Sequence, residues 1–238
     1  MQNRIFSVDS PKAVKAQGFG YLNAIHYMAP HRLAGMGDLC GNASPGCIAL
    51  CLGQHSGAAT YYPSVIKSRI AKAKRFMKDR KAYIADIERS IESAIRKAQA
   101  LELKLCVRLN GATDLAWEGL APHLFAKFPT IQFVDYTKSV KRMLAFCAGR
   151  FPPNYHLTFS HSETNEADCE RVLAAGGNVA MVFADKMRWV NAGHYFGRSV
   201  VDGDTHDLRH LDPRGGYIVA LSPKGNKAKK DKSGFVVR

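Results

Sequence analysis

Short apolar runs that end in polar residues alternate with helical patterns along most of this chain, and that alternation restricts the fold more than any other feature. The runs are LKLCVRLNGATD, IQFVDYTKS, YHLTFSHSETN, NVAMVFADK, SVVDGD and YIVALSPKG. Between several of them, apolar residues recur at helical spacing over Leu115 to Lys127, Val140 to Ala148 and Glu166 to Ala175. Parallel strand neighbours need a crossover connection, usually a helix, so repeated strand–helix units predict a mostly parallel sheet. The helical patterns are too few for a complete barrel. The expected fold class is α/β, an irregular or partial (βα) barrel, with an open doubly wound sheet as the rival. Either one gathers the polar residues at the strand ends into one region.

Apolar Val65, Ile66, Ile70, Ala73, Phe76 and Met77, then Ile84, Ile87, Ile91 and Ile95, predict a pair of basic amphipathic helices over Pro63 to Lys78 and Lys81 to Leu101. No linker interrupts the chain, so residues 1–238 are expected to form a single domain, with a basic low-complexity segment at 224–232. The start, MQNRIFSVDSPKAVKAQGFG, shows no apolar signal region, and no stretch has the length and apolarity of a membrane span. A cytoplasmic location with reduced cysteines is expected, and no membrane partner.

Three of the six cysteines fall in LCGNASPGCIALC. Ser44 followed by Pro45 reads as an N-cap and first helical residue, which sets Cys47 and Cys51 one turn apart on a helix face with Cys40 on the preceding loop. Three thiolates at one point fit an iron–sulfur cluster with one iron left open for a substrate or S-adenosylmethionine. The same residues with His55 make a Cys3His zinc set. Three separate core thiols are the third reading. Cys106, Cys147 and Cys169 lie inside strand or helix patterns and read as core.

Other candidates sit at strand ends. In RLNGATD, Gly111 permits close backbone approach to a ligand that Asn110 and Asp114 would contact, though Asp114 also suits a helix N-cap. In FVDYTKS, Lys138 suits a carboxylate or phosphate, or else pairs with Asp135. In LTFSHSETN, Ser160, Ser162, Glu163 and Asn165 offer the contacts a ribose needs, or else a helix cap. The stretch VVDGDTHDLRHLDPRGG concentrates Asp202, Asp204, His206 and Asp207, with His210 and Asp212, as ligands for a divalent ion or as acid–base groups; a salt-bridged loop is the bland counterpart. It lacks the glycine and closing glutamate of a calcium-binding EF-hand.

The net charge of +14 points to a polyanionic partner. Lys67, Arg69, Lys72, Lys74 and Arg75 on the first basic helix, with the lysine-rich tail, form the candidate nucleic-acid surface, weighed against a solvated helix face.

CGNASPGC followed by IALC, then RLNGATD, DYTK, DGDTHDLRHLDP and KSGFVV resemble an uncharacterised family of bacteriophage-encoded proteins, the mycobacteriophage gene-product-eighty-eight-like group, from about Asn23 onward. That resemblance implies a gene acting in the cytoplasm of a bacterial host and supplies no catalytic residue. A weaker likeness runs to radical S-adenosylmethionine enzymes, which join a three-cysteine cluster loop to a partial α/β barrel. Their usual spacing is C-x3-C-x2-C, whereas this chain reads C-x6-C-x3-C, and only Cys40, Cys47 and Cys51 carry over. The leading expectation is an iron–sulfur enzyme of that kind, holding a 4Fe-4S cluster and S-adenosylmethionine and acting on nucleic acid or a nucleotide. The alternatives are a zinc-stabilised nucleic-acid-binding protein without catalysis and a divalent-metal nuclease or phosphoesterase centred on Asp202, Asp204, His206 and Asp207.

Overall fold

The computed structural model describes residues 4–238. Its strands are β1 (Phe6–Ser7), β2 (Tyr21–His26), β3 (Lys104–Arg108), β4 (Gln132–Thr137), β5 (Tyr155–Ser160), β6 (Val179–Phe183), β7 (His194–Tyr195), β8 (Arg198–Asp202), β9 (Ile218–Leu221) and β10 (Val236–Val237). The helices are α1 (Pro11–Lys15), α2 (Pro45–Ala49), α3 (Leu52–His55), α4 (Ala58–Tyr61), α5 (Pro63–Lys78), α6 (Arg80–Ala100), α7 (Trp117–Leu120), α8 (Pro122–Lys127), α9 (Val140–Cys147), α10 (Glu166–Ala174), α11 (Lys186–Ala192) and α12 (Asn226–Lys229).

All ten strands belong to one sheet in the order β1-β2-β3-β4-β5-β6-β9-β8-β7, with β10 on β6. From β2 through β8 every neighbouring pair is parallel, and only β1 on β2 and β7 on β8 are antiparallel. The path ends on β1 at one edge and β7 at the other, so the fold is mixed α/β with an open, mostly parallel sheet.

The two faces of the sheet bury different chemistry because successive side chains alternate. Leu105, Val107, Leu109, Phe133, Tyr155, Leu157 and Phe159 face the crossover helices and join the main core with Ile87 and Ile91 of α6 and Leu124 of α8. On the other face, Cys106 and Val134 form a small separate cluster with Ala16 and Leu208. The 3-10 turn Arg209–Leu211 packs there against β4 and β5. The expected helix Leu115 to Lys127 is two short helices, because Pro122 cannot continue the first and instead opens the second.

Candidate functional site

Ser44 adopts an extended conformation and its hydroxyl accepts the Cys47 amide at 3.1 Å, so α2 starts at Pro45 as the sequence predicts. Glu163 grips the same helix start, accepting the Ser44 hydroxyl at 2.8 Å and the Gly46 amide at 2.7 Å. A Cβ on Gly46 would meet Glu163 at 2.7 Å, which is why glycine stands there. The expectation of one helix through Cys47 and Cys51 needs correction. α2 ends at Ala49, and Cys51, with ψ 121°, turns the chain and becomes the N-terminal flank of α3.

Cys40, Cys47 and Cys51 all border one cavity of about 320 Å³ at the carboxyl ends of the parallel strands. Gly111, Lys138 and Ser160 border it from the strand ends, and Asp204, His206 and Asp207 from the loop after β8. The Cys40 Sγ accepts the His31 amide at 3.2 Å and faces the Ala112 carbonyl at 3.6 Å. Burial pushes the Cys40 thiol up to about 12, with Cys51 and Cys47 adding to the shift. Burial also raises Cys51, against the Gly53 and Gln54 amides that donate to its sulfur. Amide donors aimed at sulfur are the groups that tune metal-bound thiolates.

Among the described residues, no three His, Cys, Asp or Glu side chains stand close enough to share a single metal ion. One zinc at about 2.3 Å from each sulfur draws its ligands to within about 4 Å of one another. A multi-iron cluster binds each cysteine through a different iron and spaces its sulfurs more widely. His55 does not border the cavity; His31 does, with Nε2 2.8 Å from Gln54 Oε1.

The strand-end candidates divide by role. Asn110 is fully engaged: its Oδ1 accepts Thr113 Oγ1, the Leu115 amide and Trp117 Nε1, and its Nδ2 donates to the Leu115 carbonyl. Asp135 points to the helix side, accepting the Asn110 amide at 2.7 Å and the Tyr155 hydroxyl at 2.8 Å, and burial pushes its carboxyl up to about 7. Asp114 is no helix cap; it accepts the Lys138 amide and Arg142 Nη1, while Arg142 also grips Glu118. Glu163 orients α2. Gly111 donates its amide to the His26 carbonyl at 2.9 Å, and an added Cβ would come within 2.5 Å of that oxygen. Lys138 remains open to the cavity: its Nζ donates to Ser160 Oγ at 2.7 Å and lies over the Phe235 ring, with no carboxylate paired to it among the described residues.

Lysines answer the acidic stretch. Asp202 accepts Lys186 at 2.5 Å, and Asp204 accepts Lys224 at 2.8 Å and the Ser222 amide at 2.9 Å. Burial pushes the Asp204 carboxyl upward, but these donors hold it well below the usual range. Arg209, fully buried, binds the Gly203 carbonyl at 3.1 Å and faces Asp212 at 3.2 Å. Beneath the cavity, Arg108 lies 4.7 Å over the Tyr136 ring, with Asp207 among the charges stabilising it. Arg108, His31, Tyr136 and His161 are among the cavity residues that sequence reasoning missed. The signal for Arg108 was its alternation with Cys106 and Asn110 along β3.

On α5, Lys67 and Lys74 face solvent, as does Arg75, which pairs with Asp86. Arg69 turns inward to the Gly53 carbonyl and over the Tyr27 ring, and Lys72 donates to the Ile5 carbonyl at 3.2 Å. Burial pulls Lys72 down to about 8. Arg69 thus fastens the cysteine segment to α5.

The family model described as gene product 88 matches residues 5–238. The chain belongs to the gene product 88 family. This is the phage group whose likeness the sequence carries, and the match spans the cysteine segment, every parallel strand and the C-terminal strand. No curated protein and no solved structure matches the chain. Among the described residues of this gene product 88 protein, no helix is long and apolar enough to cross a membrane.

Proposed function

We propose that this gene product 88 protein is an iron–sulfur enzyme of the radical S-adenosylmethionine kind, acting on nucleic acid or a nucleotide on an incomplete (βα) barrel. The observation that carries the reading is that Cys40, Cys47 and Cys51 border one cavity at the carboxyl ends of parallel strands, where α/β folds bind ligands. When bound, a three-cysteine 4Fe-4S cluster with S-adenosylmethionine supplies one-electron chemistry that removes a hydrogen atom from substrate.

The chain's own residues would position the reactants. Cys40, Cys47 and Cys51 would hold the cluster. Lys138 and Ser160 suit the cofactor's carboxylate, because the Lys138 cation has no carboxylate partner among the described residues. Gly111 seats the loop after β3 closely against the His26 carbonyl, and the Arg108–Tyr136 pair closes the cavity beneath. Glu163 fixes the cysteine helix, and Asp135 with Asn110 fixes the loop after β3.

The test needs no knowledge of the substrate. Anaerobic protein given S-adenosylmethionine and a chemical reductant is expected to release methionine, with Lys138→Ala raising the cofactor concentration required. No release from iron-loaded protein contradicts the reading. A zinc-loaded protein that binds nucleic acid without cleaving the cofactor would establish the non-catalytic alternative.

A further inference from the structure

The short hairpin β7–β8 carries a feature that folding does not explain. Phe196 and Gly197 link His194–Tyr195 to Arg198–Asp202, and both have positive φ, 46° and 71°. Two-residue links of this backbone pattern favour Asn-Gly, because a bulky side chain in the left-handed region clashes with its own backbone. Phe196 accepts that strain and is also 83% exposed, so it gains little from burial. An aromatic residue placed against both sterics and hydration marks a contact surface.

Its neighbours define the contact. Tyr195 packs edge-on to Phe196 at 4.6 Å, Trp189 lies 4.7 Å from Tyr195, and the Arg188 guanidinium sits 4.6 Å over Trp189. Arg198 flanks the turn. Neither Arg188 nor Arg198 forms an ion pair with a described carboxylate. Aromatic rings interleaved with unpaired arginines, on a chain of net charge +14, match the chemistry of base stacking with phosphate contact. A second copy of this chain fits poorly, since β7 has two residues and offers almost no edge to extend, and the arginines would repel their own copies. We propose that the Phe196 turn, with Tyr195, Trp189 and Arg188, is a stacking platform for single-stranded nucleic acid. The proposal names a partner surface for the function above but stands on residues apart from the cysteines, so protein without metal or cofactor tests it separately.

Trp117 is fully buried and Trp189 only partly, so fluorescence quenching by a short oligothymidylate reports on the ridge. The expected result is saturable quenching at low salt and weaker binding of a duplex of equal length. Phe196→Asn should weaken single-strand binding by about tenfold or more. Because asparagine tolerates the left-handed backbone, that variant should melt at the same or a higher temperature, which separates lost binding from lost folding. No quenching, equal affinity of Phe196→Asn, or equal affinity for duplex would overturn the proposal. So would a wild-type dimer in sedimentation that Phe196→Asn dissolves, which would assign the ridge to a second copy.

Discussion

The Glu163 carboxylate, on the loop after β5, accepts the backbone amide of Gly46 at 2.7 Å, at the first turn of the helix that carries Cys47. This contact joins residues 117 apart in sequence and closes the cysteine segment onto the parallel strand ends. Its two partners, the Gly46 amide and the Ser44 hydroxyl, both donate to it, so one side chain holds the first turn and the cap of the cysteine helix together.

Removing that carboxylate should therefore loosen the site as well as the fold. Glu163→Ala is expected to lower unfolding free energy by about 2 kcal/mol, the range for hydrogen bonds to a charged group, and Glu163→Gln by less. Urea denaturation measures the loss, and faster alkylation of Cys47 in Glu163→Ala reports the loosened helix. Unchanged stability and labelling would remove Glu163 from this role.

Arg142 holds a second junction, between α9 and the loop after β3. Its guanidinium bonds Asp114 at 2.8 Å and Glu118 at 2.7 Å, with side chains only 11%, 12% and 19% exposed. Arg142→Met leaves two carboxylates largely buried without their cation, so a destabilisation of about 3 kcal/mol or more is expected by chemical denaturation.

Stability should depend on pH in two opposing ways. Burial pulls His26 down to about 3 and His156, His161 and His210 down to about 4. Each contributes stability that is full above the unfolded value of 6.5 and is lost as pH falls through the folded value. Asp135, pushed up to about 7, acts in reverse: its contribution is full below 3.8 and is lost as pH rises through the folded value. The urea midpoint should fall as pH drops from about 6.5 to about 4. His210→Phe should flatten that fall, because neither ring nitrogen of His210 has a partner and phenylalanine can keep the edge contact with Tyr21. The destabilisation caused by Asp135→Asn should be greatest at the acid end and shrink toward neutrality.

In protein without metal, the buried Cys40 should behave as a thiol rather than a thiolate. With burial pushing it up to about 12, its alkylation at pH 8 should be slower than that of an unhindered cysteine by about a hundredfold or more. Peptide mass spectrometry of iodoacetamide-treated protein checks this. Rapid labelling of Cys40 would contradict the burial.

Much of this arrangement was legible in the residues. The apolar spacing of α5 and α6 predicts their ends to within about a residue, Ser44–Pro45 sets the start of α2, and the polar strand ends mark where the cavity lies. β2 was hidden because Asn23 and His26 interrupt its apolar pattern. His26 is tolerated inside only because Leu109 and Tyr83 satisfy its two nitrogens at 2.9 Å each. The break at Cys51 and the inward turn of Arg69 depend on tertiary partners that no local pattern encodes. The same is true of Asn110 and Asp135. Their residue types suit a ligand, and their actual partners are each other and the loop they hold.

Whether the three cysteines hold a cluster is decided by the metal content and visible absorption of protein purified without oxygen, beside Cys40→Ser, Cys47→Ser and Cys51→Ser. The expected protein is brown, with about four irons per chain and matching sulfide, both lost in each variant. Colourless protein without iron, or one zinc per chain in its place, would contradict the cluster reading.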